Sequence, residues 1–68
     1  MEEIKGGRIK ALKEASVKYE KAVKAKLGYE QCIYIGTIRR MKYLLVHENR
    51  MTQEEVDRIE KEAKEKAC

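Results

Sequence analysis

Residues 51–56, Met51-Thr52-Gln53-Glu54-Glu55-Val56, carry the pattern that begins a helix. Thr52 is placed as the N-cap residue, because its hydroxyl oxygen is free to accept a hydrogen bond from the backbone N–H of Glu55. The Glu55 carboxylate is able to bond back to the Thr52 N–H, which completes a capping box. Met51 and Val56 flank this box where an apolar pair fixes the direction of the entering chain. The stretch therefore predicts a turn before Thr52 and a helix after it.

Working outward, the pattern predicts a third helix over 53–66 and a second helix over 29–47. Asn49, in the connection between them, is the residue expected at positive φ, which asparagine tolerates. The start of the second segment is ambiguous, because residues 31–38 are rich in β-branched and aromatic side chains and are compatible with a strand. No second segment of the chain offers a convincing partner strand, so a helix is favoured and the strand remains the alternative.

A first helix is predicted over 8–27, where residues of one face recur every three or four positions. The members of that face are Ile9, Leu12, Ser16, Tyr19 and Val23. Gly6 and Gly7 are expected to separate this helix from a mobile head at residues 1–7. Gly28 occupies the place where a helix commonly ends in the left-handed conformation.

The composition supports one all-α domain over residues 1–68. Proline is absent and 41% of the 68 residues are charged, with good helix formers throughout. The expected architecture is a hairpin of helices 2 and 3 packed with an amphipathic first helix. A chain of this length buries only about 60% of its unfolded surface, so self-association, as a homodimer, is also expected.

Catalytic and metal-binding chemistry finds little support in the sequence. His47 is the one histidine, and it has no evident nucleophile or orienting group beside it. Cys32 lies in an apolar run and is predicted to be a buried hydrophobic residue, and Cys68 is predicted to fray. We therefore expect a chain that is not an enzyme and that holds no metal and no cofactor.

We also expect no targeting signal and no membrane span in this sequence. The first seven residues are acidic and contain no apolar run, which is not typical of a signal peptide. No apolar run approaches the roughly 20 residues that a membrane span needs. A cytoplasmic protein without a membrane partner is expected.

The segment from about residue 38 to residue 59 resembles the SHOCT-like domains of bacteria and phages. The residues that carry the resemblance are Leu44-Leu45, Met51-Thr52, Glu54-Glu55 and Val56. Asn49 stands where those domains usually have glycine, and Val56 where they have phenylalanine or tyrosine. The resemblance covers about a third of the chain, and it implies an oligomerisation or interaction role rather than catalysis.

Protein interaction is the favoured function, because the second helix is apolar on more than one side. Its surplus apolar residues do not all fit between two other helices of so small a domain, and exposed apolar surface marks partner sites. The predicted interaction residues are Ile33, Ile35, Tyr43 and Val46. A small regulator, adaptor or inhibitor that docks on another protein, or on a second copy of itself, is expected.

Nucleic-acid binding is the alternative, because the basic surplus is concentrated in the first two thirds of the chain. Residues 1–27 carry a net charge of +4 and residues 28–50 carry +2, whereas residues 51–68 carry −2. A lysine face on the first helix and a basic cluster on the second would contact phosphates. The predicted residues are Lys10, Lys13, Lys21, Lys24, Arg39, Arg40 and Lys42.

Overall fold

The fold consists of three α-helices joined by two short turns. In the computed structural model, which describes residues 2–66, α1 spans Glu2–Lys24, α2 spans Gly28–His47 and α3 spans Gln53–Lys66. No strand occurs among these residues, so the all-α class is confirmed and the strand alternative for residues 31–38 is excluded. The range of α3 is the one that the capping pattern predicts.

The core lies where α1 packs against the other two helices. α1 contacts α2 most extensively and α3 next, while α2 and α3 share the smallest contact. The first helix is thus the element that holds the domain together. The buried residues of the central cluster come from all three helices and from the second turn: Leu12, Ala15, Ile38, Leu45, Met51 and Val56.

One polar side chain is buried in this core. Ser16 lies on the inward face of α1, and its hydroxyl donates a hydrogen bond to the carbonyl oxygen of Leu12 at 2.7 Å. Because the partner is one turn back on the same helix, the hydroxyl is satisfied without a contact from another element.

The start of α3 shows one of the two hydrogen bonds of the predicted capping box. The backbone N–H of Glu55 donates to the Thr52 hydroxyl oxygen at 3.1 Å. Met51 and Val56 are both buried in the core cluster, so the apolar pair that flanks the cap also joins α3 to the other helices. One local pattern therefore fixes a helix start and supplies two core residues.

The predicted beginning of the first helix, near Arg8, was wrong. α1 begins at Glu2 and continues through Gly6 and Gly7, so residues 2–7 are helical and do not form a mobile head. Glycine lowers helix stability by about 1 kcal/mol relative to alanine but does not break the hydrogen-bond pattern as proline does. Arg8, which follows these turns, is bonded to the α2–α3 turn.

Both predicted positive-φ residues were wrong by one or two positions. Lys26, at φ 59°, ends α1 in place of Gly28, and Arg50, at φ 57°, takes the place of Asn49. After α1, the Lys26 N–H bonds to the Val23 carbonyl and the Leu27 N–H to the Ala22 carbonyl. This pair of bonds is a Schellman motif, with Lys26 as its left-handed residue.

The prediction for Cys32 was also wrong, because its side chain is exposed. The side of α2 that faces the core is set by Ile38 and Leu45, and Cys32 lies away from it. The predicted fraying of Cys68 lies outside the described residues.

Candidate interaction surfaces

The outward side of α2 carries a continuous row of residues that no other helix covers. At 100° per residue these positions fall within a sector about 80° wide over the whole helix. We call this row the outer stripe; it consists of Tyr29, Ile33, Gly36, Arg40, Tyr43 and His47, all of them exposed. The spacing alternates between four and three residues, which is the spacing of the facing positions in a coiled coil.

Three large side chains of the outer stripe are strongly exposed. Tyr29 retains 81% of its accessible surface, Tyr43 retains 62% and Ile33 retains 48%. The Tyr43 ring packs on the His47 ring, with centroids 4.3 Å apart and planes inclined by 34°. The C-terminal end of the stripe therefore carries the aromatic pair Tyr43–His47, and its N-terminal end carries Tyr29 and Ile33.

Shallow grooves run along both sides of the outer stripe. The groove between α1 and α2 is bordered by Ala11, Glu14, Ala15, Lys18, Ile33, Tyr34 and Thr37. The groove between α2 and α3 is bordered by Arg39, Lys42, Tyr43, Val46, His47 and Gln53. The first groove adjoins the N-terminal half of the stripe and the second groove adjoins its C-terminal half.

The four predicted protein-interaction residues divide between this surface and the core. Ile33 and Tyr43 are exposed on the outer stripe, whereas Ile35 and Val46 are partly buried and packed against the core. Two of the four predicted interaction residues thus pack in the three-helix core instead of being available on the surface. Sequence analysis missed the outer stripe itself, although the four-three spacing from Tyr29 to His47 is visible in the printed sequence.

The basic residues predicted for nucleic-acid binding come from two helices. Lys10, Lys13, Lys21 and Lys24 are exposed on α1, and Lys13 and Lys21 border a depression made only of α1 residues. Arg39 instead borders the groove between α2 and α3. The four lysines therefore lie on α1 and the arginine pair on α2.

Lys42, the seventh of these basic residues, is engaged in holding α2 to α3. Its Nζ lies 2.7 Å from an Asp57 carboxylate oxygen and 2.8 Å from Glu60 Oε1. Lys64, one turn after Glu60, binds the other oxygen of that carboxylate at 2.9 Å. These ion pairs compensate for the small area of contact between the two helices.

The ionisation of this cluster favours the charged forms. Burial of Lys42 opposes its charge, but hydrogen bonds to Asp57 and Glu60 outweigh this and raise the pKa of Lys42. The hydrogen bond from Lys42 lowers the pKa of Asp57. Burial of the Glu60 carboxyl likewise opposes ionisation, but the bonds from Lys42 and Lys64 lower the pKa of Glu60.

A second polar contact joins the beginning of α1 to the α2–α3 turn. The Arg8 guanidinium donates to Asn49 Oδ1 at 2.7 Å and to Glu48 Oε1 at 3.0 Å. Asn49 was predicted as the positive-φ residue, but its amide oxygen receives a long-range hydrogen bond instead. Glu48 is thereby neutralised locally at the end of the outer stripe.

The described part of the chain contains no cluster of potential metal ligands. Within residues 2–66, no three histidine, cysteine or acidic side chains converge as metal ligands. No helix in this range is long and apolar enough to cross a membrane.

Comparison with models of known protein families, with curated proteins and with solved structures found no match. The resemblance of residues 38–59 to SHOCT-like domains accordingly stays a prediction. The chemistry of the surface of the domain is therefore the basis for assigning a function.

Proposed function

We propose that this chain is a non-enzymatic interaction protein, a small regulator, adaptor or inhibitor that docks on a larger protein through the outer stripe of α2. The observation that carries the proposal is the row of exposed residues at coiled-coil spacing along the whole helix. A helix face of this kind is a common recognition element, because a partner helix or groove contacts positions three and four residues apart.

The exposed aromatic residues support docking on a protein. Tyrosine supplies a large contact area at a low cost in side-chain entropy and is enriched in interfaces. Tyr29 and Tyr43 are the most exposed large hydrophobic side chains of the described residues, and both lie on the outer stripe. Neither is required by the core, so their placement is consistent with binding rather than with folding.

Site-specific photo-crosslinking tests the proposal. A benzophenone amino acid replaces Ile33 in one variant and Lys61, which is exposed on α3, in a matched control. Both variants are expressed in the cells from which the chain comes, irradiated and analysed by mass spectrometry. We expect a discrete protein adduct at position 33 and none at position 61. Protein adducts of equal yield at both positions, or none at either, would contradict docking through α2.

A mutational test should use Ile33 and Tyr43 rather than the other two predicted residues. Because Ile35 and Val46 pack against the core, serine at those positions would lower the stability of the domain and confuse folding with docking. Ile33→Ser together with Tyr43→Ser removes apolar surface that solvent already reaches. The double variant should keep its melting temperature within a few degrees. To follow docking in this variant, the benzophenone amino acid replaces His47. We expect the crosslink from position 47 to form in the otherwise unmodified chain and to be lost in the double variant.

Nucleic-acid binding is retained as a second candidate because Lys10, Lys13 and Lys21 share one exposed face of α1. Fluorescence anisotropy with short duplex and single-stranded oligonucleotides at about 50 and 200 mM salt tests it, since phosphate-driven binding weakens steeply over that range. Saturable binding that the triple lysine-to-glutamine variant abolishes would support this function. No binding at the lower salt concentration would remove it.

A further inference from the structure

We infer that the occupant of the outer stripe is an acidic amphipathic helix of a protein partner. This inference rests on the proposed docking function and adds the chemistry of the partner. It follows from the spacing of the stripe, from the glycine at its centre and from the charges around it.

The shape of the outer stripe fits a helix. Six positions at alternating spacings of four and three residues form the seam on which a second helix packs. Gly36 lies in the middle of this seam, and a methyl group added there would meet no atom within 4 Å. The missing side chain leaves open space between Ile33 and Arg40, where a large apolar side chain of the partner can approach the backbone of α2.

The charge of the surface selects an acidic partner. Arg40 lies on the outer stripe and Arg39 on its flank, and α2 carries no carboxylate between Glu30 and its C-terminal end. The carboxylate of Glu48, which follows the helix, is paired with Arg8. Charge complementarity therefore requires glutamate or aspartate in the middle of the partner helix, opposite the arginine pair.

One carboxylate borders the groove on the α1 side of the outer stripe. Glu14 lines that groove together with Lys18, so the groove itself carries no net charge from these two residues. The charge that a partner meets along the stripe is thus set by Arg39 and Arg40. Their position near the middle of α2 also restricts the register in which an acidic helix could bind.

A second copy of this chain fits the outer stripe poorly. Antiparallel pairing of two α2 helices about the midpoint of the stripe would place each Arg40 opposite Gly36 of the other copy, with the two Arg40 residues only about 6 Å apart along the helix axis. Parallel pairing would place the two Arg40 residues opposite one another. Parallel pairing thus sets like charges against one another, and antiparallel pairing gathers four arginines near the centre of the seam with no carboxylate of α2 beside them, so charge opposes association of two copies in both orientations.

A nucleic acid fits less well than an acidic helix. Phosphate-tracking surfaces need several cations in a row, and the outer stripe offers one arginine with a second on its flank. Ile33 and Gly36, which occupy the neighbouring positions, have no role in phosphate contact. The regular spacing of the stripe, by contrast, corresponds to the repeat of a partner helix.

Two synthetic helical peptides test the inference with the full-length chain. Both have three heptads with leucine at the seam positions; one carries glutamate at the flanking positions and the other lysine. Fluorescence anisotropy at about 50 mM salt measures binding of each labelled peptide. We expect saturable binding of the glutamate peptide and at least about tenfold weaker binding of the lysine peptide. Equal affinities, or no binding of the glutamate peptide, would overturn the inference.

Charge reversal supplies the matched control. The variant R39E/R40E should lose affinity for the glutamate peptide by at least about tenfold and gain affinity for the lysine peptide, because the complementary signs are exchanged. The variant K13E/K21E makes the same change in net charge on α1, and it should leave the preference unchanged. If both variants weaken glutamate-peptide binding equally, the attraction is general to the basic chain and the inference fails.

Two further measurements distinguish the other possible occupants of the outer stripe, a second copy of the chain and a nucleic acid. A homodimer detected by sedimentation at micromolar concentration and lost in Tyr43→Ser would assign the stripe to a second copy. Salt-sensitive binding of a single-stranded oligonucleotide that R39E/R40E abolishes would assign it to nucleic acid. Either result overturns the inference. Failure of the glutamate peptide beside a persistent protein crosslink from position 33 would reject the acidic helix and leave the proposed docking function intact.

Discussion

Lys26 and Arg50 hold the left-handed backbone conformation at the ends of α1 and α2. A residue with a Cβ atom pays roughly 1 kcal/mol for this conformation, which glycine adopts freely. Sequence analysis assigned the role to Gly28 and Asn49 because their residue types tolerate it. The left-handed conformation instead occurs at Lys26 and Arg50, in the turns where the chain reverses so that the following helix packs on α1.

Replacing Lys26 by glycine should therefore stabilise the domain. We expect the free energy of unfolding to rise by about 0.5–1 kcal/mol, because the Schellman bonds remain and the strain is removed. Urea denaturation followed by circular dichroism measures the change. Lys21→Gly, in the interior of the same helix, is the control and should lower stability by a similar amount. A loss of stability in Lys26→Gly would show that the turn has another conformation.

The N-cap of α3 gives a second prediction at this scale. Thr52→Ala removes the acceptor for the Glu55 N–H and should cost on the order of 1 kcal/mol. Thr52→Ser keeps a hydroxyl in place and should retain most of the stability. If Thr52→Ala melts at the same temperature as the unmodified chain, the cap does not stabilise α3.

At the scale of elements, α1 is longer at its beginning than its sequence predicts. Gly6 and Gly7 look like a linker in sequence, since glycine is the poorest helix former after proline. In the structure they continue the helix, and Arg8 then bonds to the α2–α3 turn. The helix thus continues through this segment despite the low helix propensity of its two glycines.

Substitution of these glycines tests the length of α1. Because added methyl groups at Gly6 and Gly7 would meet no atom within 4 Å, each change to alanine should stabilise the domain by about 0.5–1 kcal/mol. Helical circular dichroism at elevated temperature should also increase. Unchanged stability in the double variant would indicate that residues 2–7 are not part of the folded helix.

At the scale of the whole molecule, ion pairs join the two helices that touch least. Lys42 of α2 reaches Asp57 and Glu60 of α3, while α1 packs on both helices through the apolar core. Lys42, which the sequence predicted as a nucleic-acid contact, thus forms ion pairs between α2 and α3. Its role is visible only when the two helices are placed side by side.

The lowered pKa values of Asp57 and Glu60 predict loss of stability in acid. Their ordinary values are 3.8 and 4.5, and both carboxyls bind protons more weakly in the folded chain. The stability they contribute is complete above those ordinary values and is lost as pH falls through the lowered ones. Urea midpoints measured from pH 6 to pH 2 should therefore decline most steeply below about pH 4.5.

Lys42→Met provides the matched variant for this pH dependence. It keeps the apolar stem of the side chain and removes the charge, so we expect a loss of about 1–2 kcal/mol at neutral pH. The difference between the variant and the unmodified chain should shrink as the two carboxyls become protonated. A constant difference across the whole range would mean that the ion pairs do not stabilise the domain.

The sequence by itself determined the all-α class, the range of α3 and its cap, because these follow from short-range spacing and hydrogen bonding. Of the candidate surface, it identified Ile33 and Tyr43 but also named Ile35 and Val46, which the core absorbs. Only the tertiary structure decided which side of α2 is covered, since a helix with apolar residues on several sides has several equivalent ways to pack. That decision depends on where Leu12 and Ala15 of α1 lie in space, and periodicity along one helix does not contain that information.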